Sequence, residues 1–527
     1  MRHDTAPGPA GHTEGGGRRV VMLVDNAVDG DSRVQKAARS MADAGWRVTL
    51  LGQSPDRRPR QWRLGDAEVR LLPLERHLGR RRHEFRRPSP RHPLAYRPGG
   101  IGAYREQQAR AWRADLLVRR TVEGRGLLLR RLAARLLVRW TGLRHGQLKR
   151  AQARRKHLDT LGDRLWTAAV RAVMRDRCWR RLEPYLWDYE FTFGPEIDRL
   201  RPDLIHANDF RMIGVGARAA ARARGRGRTV KLVWDAHEYL PGIKPRGQHH
   251  RWLPAHCAHE REYAGRADAV VTVSGPLAEL LRREHRLPEL PAVVLNAPGG
   301  EGPADAPDEP APDLRARCGI GADVPLIVYS GAPAEQRGLR TVIEALPRLP
   351  GVHAAFVVLT PRGAYMKGLL ARAAELDVAD RVHVLPYVPH WQVVGFLSGA
   401  DVGLIPIHHW PNHELALITK FMEYAHARLP IVVSDVRTMA DTVRASGQGE
   451  VFRAEDTGDF VRAVRAVLAA PDRYRAAYDT PGLLDAWTWR AQAEVLDAVY
   501  RSVLGAAAPA ALPTSPIGVN QSCVSAS

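Results

Sequence analysis

Several stretches of this chain place charged and hydrogen-bonding residues directly after short apolar runs. The densest is ADVGLIPIHHWPNHELALITKFMEYAHARLPIVVSD, residues 400–435. VGLI reads as a strand, a polar loop follows, and a helix starts near Leu417 with Lys420 and Glu423 in its first turns. A helix N-terminus after a strand offers N–H groups and the positive end of the helix dipole, which suits an anion such as phosphate. Lys420 adds a point charge, and Glu423 can accept two hydrogen bonds from a ribose diol. An ordinary surface ion pair has the same spacing of three, and composition alone leaves both readings open. A second loop, SGAPAEQRGLRTVIEAL, follows the run PLIVY. Gly331 permits a tight turn there, and Arg337 precedes Gly338 at the next helix start. That arrangement suits a phosphate met by backbone and guanidinium, although a plain strand-to-helix turn looks the same.

The first half of the chain repeats the theme. DNAVDGDSRV carries Asn26, Asp31 and Arg33; DLIHANDF carries His206, Asn208 and Asp209; WDAHEYLPG carries His237 and Glu238. One such histidine is as readily structural as functional, but three polar clusters at successive strand ends line a crevice. The His-Glu pair is not HExxH, and Cys178, Cys257, Cys318 and Cys523 form no CxxC pair. No metal site or disulfide framework is expected. Neither a GxSxG elbow nor a GxxxxGK[ST] loop occurs.

Positioning these residues requires α/β architecture. Strands are expected at Val20–Val24, Arg47–Leu51, Asp203–Ala207, Val230–Trp234, Ala269–Val273 and Ala292–Leu295. A second series is expected at Pro325–Tyr329, Ala354–Leu359, Arg381–Leu385, Val402–Ile405 and Ile431–Val433. Helical patterns separate them, beginning with Val34–Ala44. The rhythm describes two Rossmann-like, doubly wound domains. The expected boundaries are a disordered tail at 1–18, a first domain at 19–297, a Pro-, Gly- and acid-rich linker at 298–316, a second domain at 317–484, a helix at 485–504 and a disordered tail at 505–527.

The 45% apolar and 26% charged composition excludes a wholly disordered chain, a collagen and a small disulfide scaffold. No run approaches 18 apolar residues, and residues 1–18 carry no apolar leader core. Cytoplasmic location is the default. The segment Arg76–Arg181 holds 30 Lys and Arg against 7 Asp and Glu, so it accounts for the whole net charge of +22 and leaves the remainder essentially neutral. Only 7 of the 79 basic residues are Lys, a bias that a GC-rich coding sequence produces by itself. This basic insert, about 76–190, contains Leu128, Leu132, Leu136 and Leu143 near one helical stripe and Arg131, Arg135 and Arg139 on another. One reading is a helix lying on an anionic membrane surface, with each cation contributing about 1 kcal/mol. Another is a solvated hairpin whose Arg stems cover apolar surface. No nucleic-acid module occurs, so no nucleic-acid partner is expected.

The passages DSRVQKAARSMADAGWRVTLLG, PDLIHANDF, WDAHEYLPG, ADAVVTVSGPLAELL, VVLNAP, SGAPAEQRGLRTVIEAL, RVHVLPYVP and TKFMEYAHARLPIVVSD resemble glycosyltransferase family 4, in that family's order, from residue 20 to about 445. The resemblance is thinnest over about 76–181. It implies a GT-B arrangement and metal-independent, retaining transfer of a sugar from a nucleotide diphosphate sugar, with no other cofactor. The acceptor expected is a glycan or a lipid-linked one, and the membrane reading of the basic insert would place the chain on the inner face of the cell membrane. By the same resemblance Glu423 holds the ribose hydroxyls, while Arg337, Lys420 and Gly331 surround the diphosphate. His237 and Glu414 are the catalytic candidates, and Asn26, Arg33, Asp209 and Glu238 line the acceptor side. Two departures stand out. The family has seven residues between its paired glutamates, whereas eight separate Glu414 from Glu423; and Ala332 follows Gly331 where many members carry Arg. A nucleotide-sugar epimerase of similar shape and a non-catalytic scaffold are the alternatives.

Overall fold

The computed structural model describes residues 17–76, 78, 93–123, 127–158, 161–244, 249–299 and 309–505. Most of both expected tails, the linker core at 300–308 and part of the basic insert lie outside the described residues. The chain forms two compact units, one of Met1–Pro73, Phe193–Ile243 and Tyr263–Ser527, the other of Leu74–Thr192 and Lys244–Glu262.

The first unit contains two sheets. Sheet one is built from β1 (Arg19–Leu23), β2 (Arg47–Ser54), β3 (Arg60–Leu64), β4 (Ala67–Pro73), β5 (Leu204–Asn208), β6 (Lys231–Ala236), β7 (Ala269–Thr272) and β8 (Ala292–Val293). Its spatial order is β3-β4-β2-β1-β5-β6-β7-β8, and only β3 runs antiparallel to its neighbour. Sheet two contains β9 (Leu326–Ser330), β10 (His353–Val357), β11 (Val382–Leu385), β12 (Val402–Ile405), β13 (Ile431–Ser434) and β14 (Gly449–Phe452). It is parallel throughout, in the order β11-β10-β9-β12-β13-β14. Both sheets reverse direction beside their first strand, between β1 and β5 and between β9 and β12. These are the topological switch points at which doubly wound sheets open a crevice.

The central strands are apolar runs because both faces are covered; β9 and β12 are buried along their whole length. Three strands escape the sequence pattern, β3, β4 and β14. RQWRL is mostly exposed at the sheet edge, and GEVF is only half-buried.

The last helix, Trp489–Leu504, belongs to the core of sheet one although it follows sheet two in the chain. Thr488 caps it. Trp489 Nε1 donates to Ser40 Oγ at 2.9 Å, and Trp46 Nε1 donates to Asp497 at 2.7 Å. Tyr500, fully buried, meets the Trp46 ring edge-on at 5.6 Å and hydrogen-bonds with His206 Nδ1 at 2.6 Å.

The second unit is helical. Helices Ile101–Glu123 and Leu128–His157 pack as a hairpin. Gly102, Ala109 and Leu116 on one and Ala134, Thr141 and Leu148 on the other are buried, one position per seven residues, half the density of a coiled-coil seam. A separate core surrounds Trp179, which meets Trp187 at 5.2 Å and His259 at 4.9 Å and donates to Glu262 at 2.7 Å. The segment 244–262, expected within the first domain, is part of this unit.

Replacing Tyr500 with Ala removes a buried ring and the partner of His206. The expected loss is about 3–5 kcal/mol, against about 1 kcal/mol for Tyr500→Phe, measured by urea unfolding. A loss below about 1 kcal/mol for Tyr500→Ala would remove the last helix from the core of sheet one.

Candidate functional site

At the switch point of sheet two, a cavity of about 200 Å³ is lined by Gly331, Arg337, Tyr387, Ile418, Thr419 and Lys420 among others. Its floor depends on Tyr424, which is fully buried and whose Oη accepts a 2.9 Å bond from the Ser330 amide at the end of β9. Burial pushes the Tyr424 phenol far above its usual range, so it stays neutral. The ring lies against β12 at Gly403, where an added Cβ would come within 2.6 Å of it. Arg337 is positioned by the next residue. Gly338 has φ 68°, and a Cβ there would lie 1.7 Å from the Pro406 carbonyl oxygen. No side chain fits, so the Arg337 loop lies directly on the loop after β12. The His408 amide bonds the Gln336 carbonyl at 3.0 Å across the same seam. The Gly331 amide donates to Val357 O, so that residue shapes the cavity rather than offering its own N–H.

The helix Thr419–His426 begins at the cavity, and no side chain caps it. Lys420 Nζ bonds Glu423 Oε2 at 2.9 Å, and Glu423 is largely buried. The surface-pair reading and the ligand-site reading therefore describe the same two residues: they pair with each other, and Lys420 faces the cavity. Glu414 lies elsewhere. Its carboxylate accepts from the Arg437 amide at 2.8 Å and pairs with His409 at 2.6 Å, while His409 also meets Asp435 at 2.9 Å. This ties together the loops after β12 and β13.

Sheet one carries a buried polar chain beneath its switch point. The Arg33 guanidinium makes two 2.9 Å bonds to Asp235, and its remaining terminal nitrogen donates to Val294 O at 2.7 Å. Burial alone would raise the Asp235 carboxyl, but Arg33 and His237 outweigh it and hold it well below the usual carboxylate range. His237 stands above, with Nε2 3.3 Å from Asp235 and Nδ1 3.4 Å from Asp209. Burial opposes its charge, yet the two carboxylates raise its pKa well above that of a free histidine. Asp209 adopts φ 64° at the start of its helix, a strained conformation of the kind that collects at functional sites. Glu238 is pushed up by burial and by Asp209, against the pull of His237 and Arg337.

The structure thus brings His237, Asp209 and Glu238 together, with Arg337 in electrostatic reach of Glu238. Arg33 is not in the crevice; it is enclosed below it. Asn26 is engaged within its own loop, donating to Asp31 at 2.7 Å and accepting from the Val28 amide at 2.8 Å. The two halves touch where Asn412 exchanges bonds of 2.8 and 3.1 Å with the Tyr239 backbone.

Lys36 is a residue that the sequence reading passed over. One turn beyond Arg33, its Nζ donates to Asn296 Oδ1 at 3.0 Å and to Ala297 O, and lies 4.6 Å from the Trp489 ring centre. Burial, helped by Arg33 and opposed by Glu423 and Asp31, lowers its pKa from 10.5 to about 7. The spacing of three from Arg33 was the only signal in the sequence.

The sign of the resulting pH dependence is fixed. Above about 7 the unfolded chain still holds the Lys36 proton and the folded chain does not, so unfolding takes up a proton and stability rises with pH. Urea unfolding below and above pH 7 should show this rise relative to Lys36→Met. Parallel curves for the two proteins would mean that Lys36 titrates as a solvated lysine.

Comparison with known proteins now bears on this geometry. Residues 163–297 match the model of Glycosyltransferase Family 4, and residues 311–480 match that of Glycosyl transferases group 1. The D-inositol 3-phosphate glycosyltransferase of Nocardia farcinica is 27% identical over 169 residues, 31% of this chain and 36% of that protein. The lipopolysaccharide core biosynthesis glycosyltransferase LpsE of Rhizobium meliloti is 28% identical over 157 residues, 29% of this chain and 43% of that protein. The first three such relatives are matched over less than half of their own length. Sucrose-phosphate synthase from Thermosynechococcus elongatus superposes with a TM-score of 0.58 at 15% identity, covering 93% of this chain and 99% of that one. Anabaena HepE, solved in complex with UDP, gives 0.54 at 12% identity, covering 92% and 100%. These structures share the two-sheet GT-B fold, and two glycosyltransferase family models match in order along the sequence, so the chain is similar to the family 4 glycosyltransferases.

Proposed function

We propose that the protein transfers a sugar from a nucleotide diphosphate sugar to a hydroxyl of a glycan or lipid-linked acceptor, with retention of configuration and without a metal, from the cytoplasmic face of a membrane. The observation that carries the reading is the cavity at the switch point of sheet two, where Arg337, Lys420 and an uncapped helix start converge. Breaking the bond from the anomeric carbon to phosphate puts negative charge on the leaving diphosphate, and preorganised cations and backbone dipoles stabilise it without rearranging. The acceptor oxygen bonds to the anomeric carbon on the face that the diphosphate leaves. The acceptor proton passes to a departing phosphate oxygen. Glu423 holds the ribose diol once Lys420 turns to phosphate. Retention rests on resemblance to the family rather than on a carboxylate pair.

In this reading His237 is the cation opposite the donor cavity. Its charge, held by Asp209 and Asp235, orients the transferred sugar and favours the developing negative charge. Glu238, whose carboxyl is pushed up by burial and Asp209, offers the acceptor a hydrogen-bonding group.

Thermal unfolding against UDP, GDP and ADP tests the donor site, with UDP first because Anabaena HepE was solved with it. A nucleotide at 100 times its dissociation constant should add about 2.7 kcal/mol of stability. Arg337→Ala and Glu423→Gln should each weaken it at least about tenfold, the scale of a lost hydrogen bond to a charged group. Sugar transfer should survive a chelator. Nucleotide binding without turnover of any nucleotide sugar would favour the non-catalytic scaffold; no binding at all would remove the proposal.

A further inference from the structure

The outward face of the helical hairpin is not accounted for by the fold. On helix Leu128–His157 the buried seam is Ala134, Thr141 and Leu148. On the far side Leu128, Leu129, Leu132, Leu136, Trp140 and Leu143 project within an arc of roughly 120°, at 100° per residue. All six are exposed; Leu129 is 80%, Leu128 66% and Leu136 65% accessible. They form an apolar stripe over four turns, about 24 Å long. The helix around them contains ten Lys and Arg and no Asp or Glu; Arg135 sits at the edge of the stripe and Arg139 within it, between Leu128 and Leu132, on a stem long enough to carry its charge outward. The helix Leu161–Met174 repeats the pattern, with Leu161, Leu165 and Val173 exposed and Arg164 and Arg171 on its other side.

We infer that this face docks on an anionic lipid bilayer, with the leucines in the acyl boundary and the arginines among the headgroups. Charge and apolarity have to be met by one partner. A nucleic acid would satisfy the arginines and leave six apolar side chains in water. A neutral apolar groove would take the leucines and bury cations without counter-charge. A bilayer with anionic headgroups offers both layers at the depth separation of an amphipathic helix. Trp140, apolar in body with one N–H, suits the boundary between the two, and the Arg144 guanidinium lies 6.0 Å from its ring centre. The inference does not depend on the transfer reaction, since nothing in it involves the donor cavity.

The test is co-sedimentation of the full chain with vesicles of phosphatidylcholine alone or mixed with phosphatidylglycerol. Binding is expected to the mixed vesicles only. Leu129→Glu combined with Leu136→Glu should weaken it by about tenfold or more, as should Arg135→Gln combined with Arg139→Gln. All four side chains are exposed, so circular dichroism should be unchanged and a folding defect is separable. Failure to bind anionic vesicles overturns the inference. So does undiminished binding by the leucine variant, which would show attachment by charge alone. Self-association without vesicles, abolished by the leucine variant, would assign the face to a second copy of this chain and overturn it as well.

Discussion

The buried ion pair of Arg33 and Asp235 is the interaction on which the first half of the molecule depends. Both side chains are almost wholly removed from water, at 5% and 3% accessibility. Desolvating two charges costs several kcal/mol each, which a bidentate geometry with every other polar atom engaged can offset. Arg33 comes from the helix after β1, Asp235 from β6, and the carbonyl of Val294 lies just past β8. His206 from β5 adds an edge contact to Asp235 at 3.6 Å and carries the chain on to Tyr500 of the last helix. Segments from opposite ends of the sequence therefore meet in one polar chain. What it presents upward is His237, whose charge is favoured by Asp209 and by the ionised Asp235. Removing either member of the pair would strand the other and, with it, the charge state of the crevice.

Sheet two reaches its site by different physics. Among the described residues no buried ion pair anchors it. Close backbone approach does, at Gly403 against the Tyr424 ring and at Gly338 against Pro406. Where no side chain fits, neither loop can shift without opening a gap in a packed core. The contrast carries into the charges. Lys420 is partly accessible, and its pair with the largely buried Glu423 lies within one turn of a single helix. A phosphate for the lysine and a diol for the glutamate can replace it. Rigid backbone with exchangeable charges suits a site that is filled and emptied every cycle, whereas the pair beneath the first crevice has no reason to exchange.

The central strands were legible because parallel strands covered on both faces must be apolar runs, and each expected run falls on an observed strand within a few residues. The edge strands β3 and β14 were not, since half of each faces water. The helix carrying Lys420 and Glu423 was legible from its loop. Arg33 and Arg337 looked alike in the sequence: each is an arginine in a polar stretch that follows an apolar run. One is enclosed and the other lines a cavity, and the difference lies in Asp235, 202 positions away. Burial of a charge is a property of its partner, which local spacing does not encode. Glu414 was a candidate by resemblance to paired glutamates, and its hydrogen bonds, to His409 and the Arg437 amide, were likewise not legible from spacing. Lys36 was missed because its environment is assembled from β8, the second sheet and the last helix.

The leucine stripe makes the opposite point. In sequence Leu128, Leu132, Leu136 and Leu143 have the periodicity of a core face, and the structure leaves that face in water. The hairpin is closed instead by Gly102, Ala109, Ala134 and Thr141, small residues that let two helices approach, with one leucine on each side, Leu116 and Leu148. Such a seam is a poor source of stability by itself. It is also indifferent to what the outer face carries, so nothing in the folding of the hairpin requires leucine there. Polar residues would fold as well and be more soluble. The surplus charge follows the same division. In the two-sheet unit the charges of the site are met locally, Arg33 by Asp235 and Lys420 by Glu423, and the net charge of that part of the sequence is near zero. The surplus of cations over carboxylates falls in the Arg76–Arg181 segment instead, which also carries the leucines. The proposed nucleotide site and the proposed membrane face thus draw on different parts of the chain.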